Sequence, residues 1–184
     1  MIYVFTGDGK GKTTAAVGTG IRAVGAGLKV LMVQFMKVKE LSSEYYVLSK
    51  LKNFDIESFG RKGFYLPEEE IKKNPELAKK GFKPFTAVDY QLAQDGIDKL
   101  KNSILNEEHD LYILDEICVA LHYRLVEENE LKKILLENRE KADFILTGRY
   151  CPGWVLEVAD LVTEMKEIKH PFKKGIPAKK GLDY

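Results

Sequence analysis

A strand that passes through a glycine-rich turn into a helix constrains this chain more than any other stretch of it. Residues 6–14 read TGDGKGKTT, overlapping the end of the apolar run IYVFT and leading into AAVGTG. Glycines let backbone N–H groups point at oxyanions, and a helix N-terminus adds partial positive charge there. Lys12 would reach phosphate oxygens and the Thr13 hydroxyl would ligate Mg²⁺, with Lys10 as a second cation. The register is unusual. The common phosphate loop has a glycine five residues ahead of its Gly-Lys-Thr triplet. Here the triplet is Gly11-Lys12-Thr13, and Thr6 holds that place, with Gly7 and Gly9 following and keeping the loop flexible. The nucleotide-binding set read from this stretch is Thr6, Gly7, Asp8, Gly9, Lys10, Gly11, Lys12, Thr13 and Thr14. The plainer alternative is a glycine-rich turn carrying solvated lysines.

Short β-rich apolar runs alternate with helical stretches, the pattern of a three-layer α/β protein whose mostly parallel sheet is covered by helices on both faces. Strands are expected at 2–6, 29–35, 54–59, 110–115, 143–147 and 161–165, and helices at 12–26, 41–52, 86–106, 127–140 and 153–159. Gly25 and Gly27 suit a helix end ahead of the second strand. Two further strand ends carry chemistry. LYILDE, residues 111–116, closes a buried-type strand with paired carboxylates where a parallel sheet meets its ligand crevice. Asp115 or Glu116 would complete a magnesium shell, directly or through water; an N-cap role for Asp115 is the alternative. TGRYCPGW, residues 147–154, brings Arg149 to the same edge, where a planar guanidinium suits a triphosphate and a structural salt bridge is the competing role. Gln34, in VQFMK, is placed by position alone to face the crevice.

The 184 residues carry 29 basic against 28 acidic side chains, far from the concentrated positive charge of a nucleic-acid binder, so no nucleic-acid partner is expected. The apolar runs are strand-sized, which argues against a membrane span. The start lacks the layout of a signal peptide, and a cytoplasmic location is expected. Residues 1–184 are read as one domain. Cys118 and Cys151 form no CxxC pair, against a disulfide framework or structural zinc site. Cys118 and His122 lie four apart on an expected helix, a spacing a metal could use, but core packing is the simpler role. Residues 61–84, RKGFYLPEEEIKKNPELAKKGFKP, are a lid-like excursion or a merely solvated loop, with Asn74 capping a short helix and Pro75 at its first position. The tail, 166–184, has no helical period, and Leu182 and Tyr184 point to docking on the body.

Together these stretches resemble the phosphate-loop type of ATP:corrinoid adenosyltransferase, which makes the adenosylated form of vitamin B12-like corrinoids. VFTGDGKGKTTAA is similar to the opening motif of that family, in which the first glycine of the usual loop is absent. VQFMK, the block from LYILDE to TGR, and the ending IKHPFKKGIPAKKGLDY are similar in the same order. The resemblance implies a P-loop NTPase fold of the RecA-like kind. It also implies a reaction, in adenosylcobalamin biosynthesis or salvage, in which a Co(I) corrinoid attacks the ribose C5′ of ATP. The whole triphosphate then leaves, with the nucleotide inverted relative to an ordinary ATPase. Lys12 and Arg149 would act on the leaving group. Thr13 with Glu116 or Asp115 would hold Mg²⁺, or Mn²⁺ in its place, and Phe64 and Tyr65 would meet the corrinoid. A reduced flavoprotein donor and a homodimer are implied as well. Two departures stand out: Gly63-Phe64-Tyr65-Leu66 replaces a frequent Gly-Phe-Thr-Trp, and the chain starts at its first strand without the arm of many members, so closure of the site is expected to differ. From the residues alone, an ordinary ATPase using Asp115-Glu116 to activate water, and a carrier that binds without turnover, compete with this reading.

Overall fold

The central strands are apolar on both faces because helices cover both sides of the sheet, which is the reason parallel strands read as near-continuous apolar runs. A computed structural model describes residues 1–171 and 175–182. Six strands pair in parallel: β1 (Ile2–Thr6), β2 (Val30–Phe35), β3 (Phe54–Phe59), β6 (Leu111–Asp115), β7 (Asp143–Thr147) and β8 (Leu161–Glu164), in the spatial order β3-β2-β6-β7-β1-β8. Every residue of β2 and β6 is buried, whereas every residue of the edge strand β8 is exposed.

Alternation along the strands divides the core. On one face Val30, Met32, Ile113 and Ile145 meet Ala16 of α1 (Lys12–Gly25) and Leu48 of α2 (Tyr45–Leu48). On the other, Leu31, Val33, Tyr112, Leu114 and Phe144 pack against α5 (Ala87–Leu105), α6 (Ile117–His122), α7 (Glu128–Asn138) and α8 (Gly153–Val158). This is the three-layer α/β architecture expected from the sequence. Helix α1 ends where a glycine permits it. Gly27 has φ 91°, its N–H bonds the Val24 carbonyl at 2.9 Å, and the Leu28 N–H bonds Ala23 at 3.0 Å, a closed C-terminal turn.

Two expectations need correction. The helix expected over 41–52 is only a 3₁₀ turn, Lys39–Leu41, and the single-turn α2. Ser42 and Ser43 favour turns, and Tyr45-Tyr46-Val47 has too little helix propensity to extend so short a nucleus. Asn74 does not cap with its side chain. Pro75 is the N-cap of α4 (Glu76–Lys79), and Asn74 only accepts the Leu77 N–H at 3.0 Å through its carbonyl.

Between β3 and α5 the chain leaves the sheet. β4 (Phe64–Leu66) and β5 (Phe82–Pro84) form a small parallel pair around α3 (Glu68–Lys73) and α4. Its two ends are tied together. Arg61 donates from Nε to Asp89 Oδ1 at 2.8 Å and from Nη2 to Thr86 Oγ1 at 3.0 Å, while Asp89 completes a capping box with Thr86 at the start of α5. In the tail, the Leu182 carbonyl accepts Lys10 Nζ at 2.6 Å, yet the Leu182 side chain is 66% exposed. Tyr184, the other residue expected to dock, lies outside the described residues.

Helix α1 carries two glycines with opposite surroundings. A Cβ at Gly20 would lie 2.8 Å from Phe54 and 2.9 Å from Ile113, whereas one at Gly18 would meet nothing. Gly20→Val should therefore cost about 1–3 kcal/mol through overpacking, and Gly18→Ala should stabilise by up to about 1 kcal/mol through helix propensity. Urea unfolding followed by circular dichroism checks both signs.

Candidate active site

The phosphate-type loop lies between the ends of β1 and α1, and what demands its glycines is a neighbouring chain. A Cβ on Gly7 would sit 2.5 Å from the Met165 carbonyl oxygen, and one on Gly9 2.7 Å from the same atom. The segment following β8 crosses directly over the loop: the Gly9 N–H donates to Met165 O at 2.7 Å, and the Met165 N–H to Thr6 O at 2.8 Å. These glycines serve close approach, which corrects the expectation that they keep the loop flexible. Gly11 has φ 115° and forms the N-cap of α1, a left-handed position suited to glycine. Thr6, where the common loop has glycine, donates from Oγ1 to the Gly148 carbonyl at 2.8 Å and so ties the loop to the turn that carries Arg149.

Lys12 is only 8% exposed and bridges the loop's own carbonyls, Gly7 O at 2.8 Å and Gly9 O at 2.7 Å. Burial, helped by the Arg149 charge, pulls its pKa below the usual lysine value against the opposing pull of Glu116, Asp8 and Asp115. Asp8, Lys10 and Thr14 are exposed around it.

Beneath the loop lies a polar hub centred on Asp115, which is fully buried. Its Oδ1 accepts from Thr13 Oγ1 at 2.8 Å and from Thr147 Oγ1 at 2.7 Å. Its Oδ2 accepts from Lys37 Nζ at 2.7 Å and from Gln34 Nε2 at 3.2 Å. Burial alone would raise the Asp115 pKa, but the Lys37 ammonium and these donors outweigh it and hold the carboxyl below its usual range. Lys37 also donates to Thr13 Oγ1 at 3.2 Å, and its own pKa is raised because the carboxylates overcome its burial.

Asp115 is therefore no N-cap: Glu116 holds that position of α6, at φ 62°. Burial and then the Asp115 charge push the Glu116 pKa up. Gln34, expected at the crevice, is instead fully buried and links the hub to Glu44 at 3.0 Å and to Ser58 at 2.9 Å.

Oxygen donors of the hard type that magnesium takes are present in Thr13 Oγ1 and Glu116. Asp115, with four donors already on it, is suited to orienting the Thr13 hydroxyl. Among the described residues no three His, Cys, Asp or Glu side chains form a metal cluster.

Arg149 is exposed and lines an open crevice of about 430 Å³ with Asp8, Glu164, Lys166 and Glu167. The fold thus brings Lys12, Thr13, Asp115, Glu116 and Arg149 together. Phe64 and Tyr65 do not share a face. Phe64 is 65% exposed and packs on Phe82, with ring centroids 5.3 Å apart. Tyr65 lies under the Arg61 guanidinium at 3.7 Å and lines a small cavity with Phe59 and Phe85.

Cys118 and His122 are not a metal pair. Cys118 is a free, buried thiol whose hydrogen bond with the free thiol of Cys151, together with burial, drives its pKa up; His122 stacks on Tyr150. Sequence reasoning missed Lys37, Thr147 and Met165 as parts of the site. Lys37 and Thr147 stood in plain view in VQFMK and TGRY, while Met165 contributes backbone atoms and leaves no residue signal.

A parallel sheet whose first strand turns through a glycine loop into a helix, beside a strand ending in carboxylates, is the frame of the phosphate-loop nucleotide proteins. Within that class, the model of the ATP:corrinoid adenosyltransferase family BtuR/CobO/CobP matches residues 1–184, and the chain belongs to that family. The corrinoid adenosyltransferase of Sinorhizobium sp is 34% identical over 186 residues, spanning 100% of this chain and 80% of the relative. That of Escherichia coli (strain K12) is 35% identical over 185 residues, spanning 100% of this chain and 85% of the relative. A solved structure, flagellar accessory protein FlaH from Methanocaldococcus jannaschii, is similar at TM-score 0.48 with 14% identity over 89% of this chain and 69% of that one. The chain is thus a transferase of corrinoid adenosylation in cobalamin biosynthesis, and the ordinary ATPase is not favoured. Among the described residues no helix is long and apolar enough to cross a membrane.

The hub gives a stability prediction. Asp115→Ala would strip the partly exposed Lys37 of its main partner and leave the buried Thr147 and Gln34 donors without this acceptor, and should cost about 1–3 kcal/mol. The sign with pH is set by the depressed Asp115 value: its contribution is present above the usual carboxylate range and is lost as pH falls through the lower folded value. Glu116, with a raised value, works in the opposite sense. Subtracting the urea stability of Asp115→Asn from that of the native chain across acid pH should isolate the loss.

Proposed function

We propose that the protein transfers the 5′-deoxyadenosyl group of ATP to the Co(I) of a reduced corrinoid and releases triphosphate. The cobalt electron pair forms the Co–C5′ bond, the C5′–O bond breaks, and its electron pair leaves with the triphosphate. Co(I) is itself a strong nucleophile, so the protein's tasks are alignment, charge stabilisation and exclusion of water. The observation that carries this reading is the convergence of Lys12 and Arg149 on a loop whose Thr13 is held by a buried carboxylate at 2.8 Å. Lys12, released from the loop carbonyls, and Arg149 take the charge of the departing triphosphate. Thr13 and Glu116 would hold Mg²⁺, or Mn²⁺, with the phosphates; when bound, the ion neutralises leaving-group charge. Asp115 acts through Thr13. Thr6, Gly7, Asp8, Gly9, Lys10, Gly11 and Thr14 surround the phosphates.

For the corrinoid, the exposed Phe64 ring, backed by Phe82, is the apolar contact, with Tyr65, held under Arg61, beside it in the same strand. A reduced flavoprotein as electron donor, a homodimer and a cytoplasmic location complete the proposal.

Anaerobic incubation with MgATP and chemically reduced cobalamin should yield adenosylated corrinoid and inorganic triphosphate in equal amounts. ADP and phosphate instead would refute the reaction. Lys12→Ala should lower turnover at least about a hundredfold, the scale seen when an oriented transition-state donor is removed. Near-normal activity in that variant would refute the assignment of the loop.

A further inference from the structure

Tyr150, directly after Arg149, is held at φ 57°, a left-handed conformation that an aromatic residue rarely adopts. Such strain persists only where the surroundings over-determine it. Here the Tyr150 ring stacks on His122, with centroids 4.4 Å apart and an interplanar angle of 29°. Beyond this pair the aromatic row continues. Tyr123 lies 5.0 Å from His122 and 6.5 Å from Tyr150, and Phe85 lies 5.8 Å from Tyr123. The row runs along the edge of the sheet where β6 and β7 end, and it reaches the base of the excursion at Phe85. Although one face of Tyr150 is taken by His122, the residue remains 51% exposed.

A ring supported on one side and open on the other is a stacking surface. Aromatic rings present a π-face that accepts planar heterocycles with little regard to their hydrogen-bonding edge. We propose that Tyr150, backed by His122, is the platform on which a planar heteroaromatic base of the substrates stacks. This deepens the adenosyl-transfer reading and rests on it. Two substrates can supply such a base: ATP through its adenine, and a complete cobalamin through the base it carries. The positive φ gives this strained backbone a use, since the left-handed turn sets the ring directly after Arg149 in the chain.

The test uses Tyr150→Gly, because glycine adopts this φ without strain and the variant should fold with an undiminished Tm. Calorimetric titration of the full chain would compare MgATP with inorganic triphosphate and Mg²⁺, a probe lacking the base. With adenine on the platform, Tyr150→Gly should bind MgATP about tenfold more weakly and triphosphate as the native chain does, while Tyr150→Phe keeps the native affinity. With the cobalamin base there, ATP binding is unchanged, and the calorimetric affinity falls for complete cobalamin but not for a corrinoid lacking the base. The proposal is overturned if neither substrate is affected, if triphosphate weakens in parallel with ATP, or if both corrinoids suffer alike. The titrations need no turnover, so failure to form adenosylated product would count against the reaction and leave this platform standing or falling on its own data.

Discussion

One buried carboxylate organises the functional end of this protein. Asp115 closes the central strand β6 and accepts four hydrogen bonds, from Thr13 on α1, Gln34 on β2, Lys37 just beyond β2, and Thr147 at the end of β7. Removing a carboxylate from water is costly unless its lone pairs are satisfied and a cation is near. Both conditions are met here only when three strands and the first helix are in register, so the same contacts that neutralise the charge also set the geometry. A network this fully satisfied is stiff. It delivers the Thr13 hydroxyl to the phosphate loop already oriented, and preorganisation of that kind is what transition-state stabilisation requires.

The second constraint is steric. The backbone at Met165 crosses the loop closely enough that Gly7 and Gly9 leave no space for a Cβ. The departure from the common phosphate-loop register has a local use as well. Thr6 bonds the Gly148 carbonyl at 2.8 Å, a link that glycine would lose, and Gly148 precedes Arg149. The loop and the arginine that are proposed to share the triphosphate are thereby fixed to one another. The nucleotide loop is thus held from above by Met165, from the side by Gly148 and from beneath by Asp115.

The strands were legible because burial on both faces leaves uninterrupted apolar runs such as VLMVQF and LYILD, which little else in a chain of this kind produces. The phosphate loop was legible because its chemistry needs particular residue types at fixed spacing. The helix expected over 41–52 was overextended because Tyr45, Tyr46 and Val47 have little helix propensity, and of that turn only Leu48 is buried. Lys37, Gln34 and Met165 escaped correct assignment for another reason. Gln34 and Lys37 are visible as polar residues in VQFMK, but their partner Asp115 lies far away in sequence, and Met165 acts through its backbone, which residue type does not reveal. Phe64 and Tyr65 were assigned together, although neighbours in a strand point to opposite faces. The pleat separates an exposed ring from one stacked under Arg61.

Attack at C5′ and attack at phosphorus by water differ in where solvent oxygen ends up, so isotope incorporation separates them. The reaction would be run with reduced corrinoid and MgATP in water enriched in oxygen-18, and the released polyphosphate examined by mass spectrometry. Attack at C5′ releases inorganic triphosphate free of solvent oxygen, since every oxygen of the leaving group comes from ATP. Solvent oxygen-18 in released phosphate would show water attacking phosphorus, and the account of the site as an adenosyl-transfer centre would be wrong.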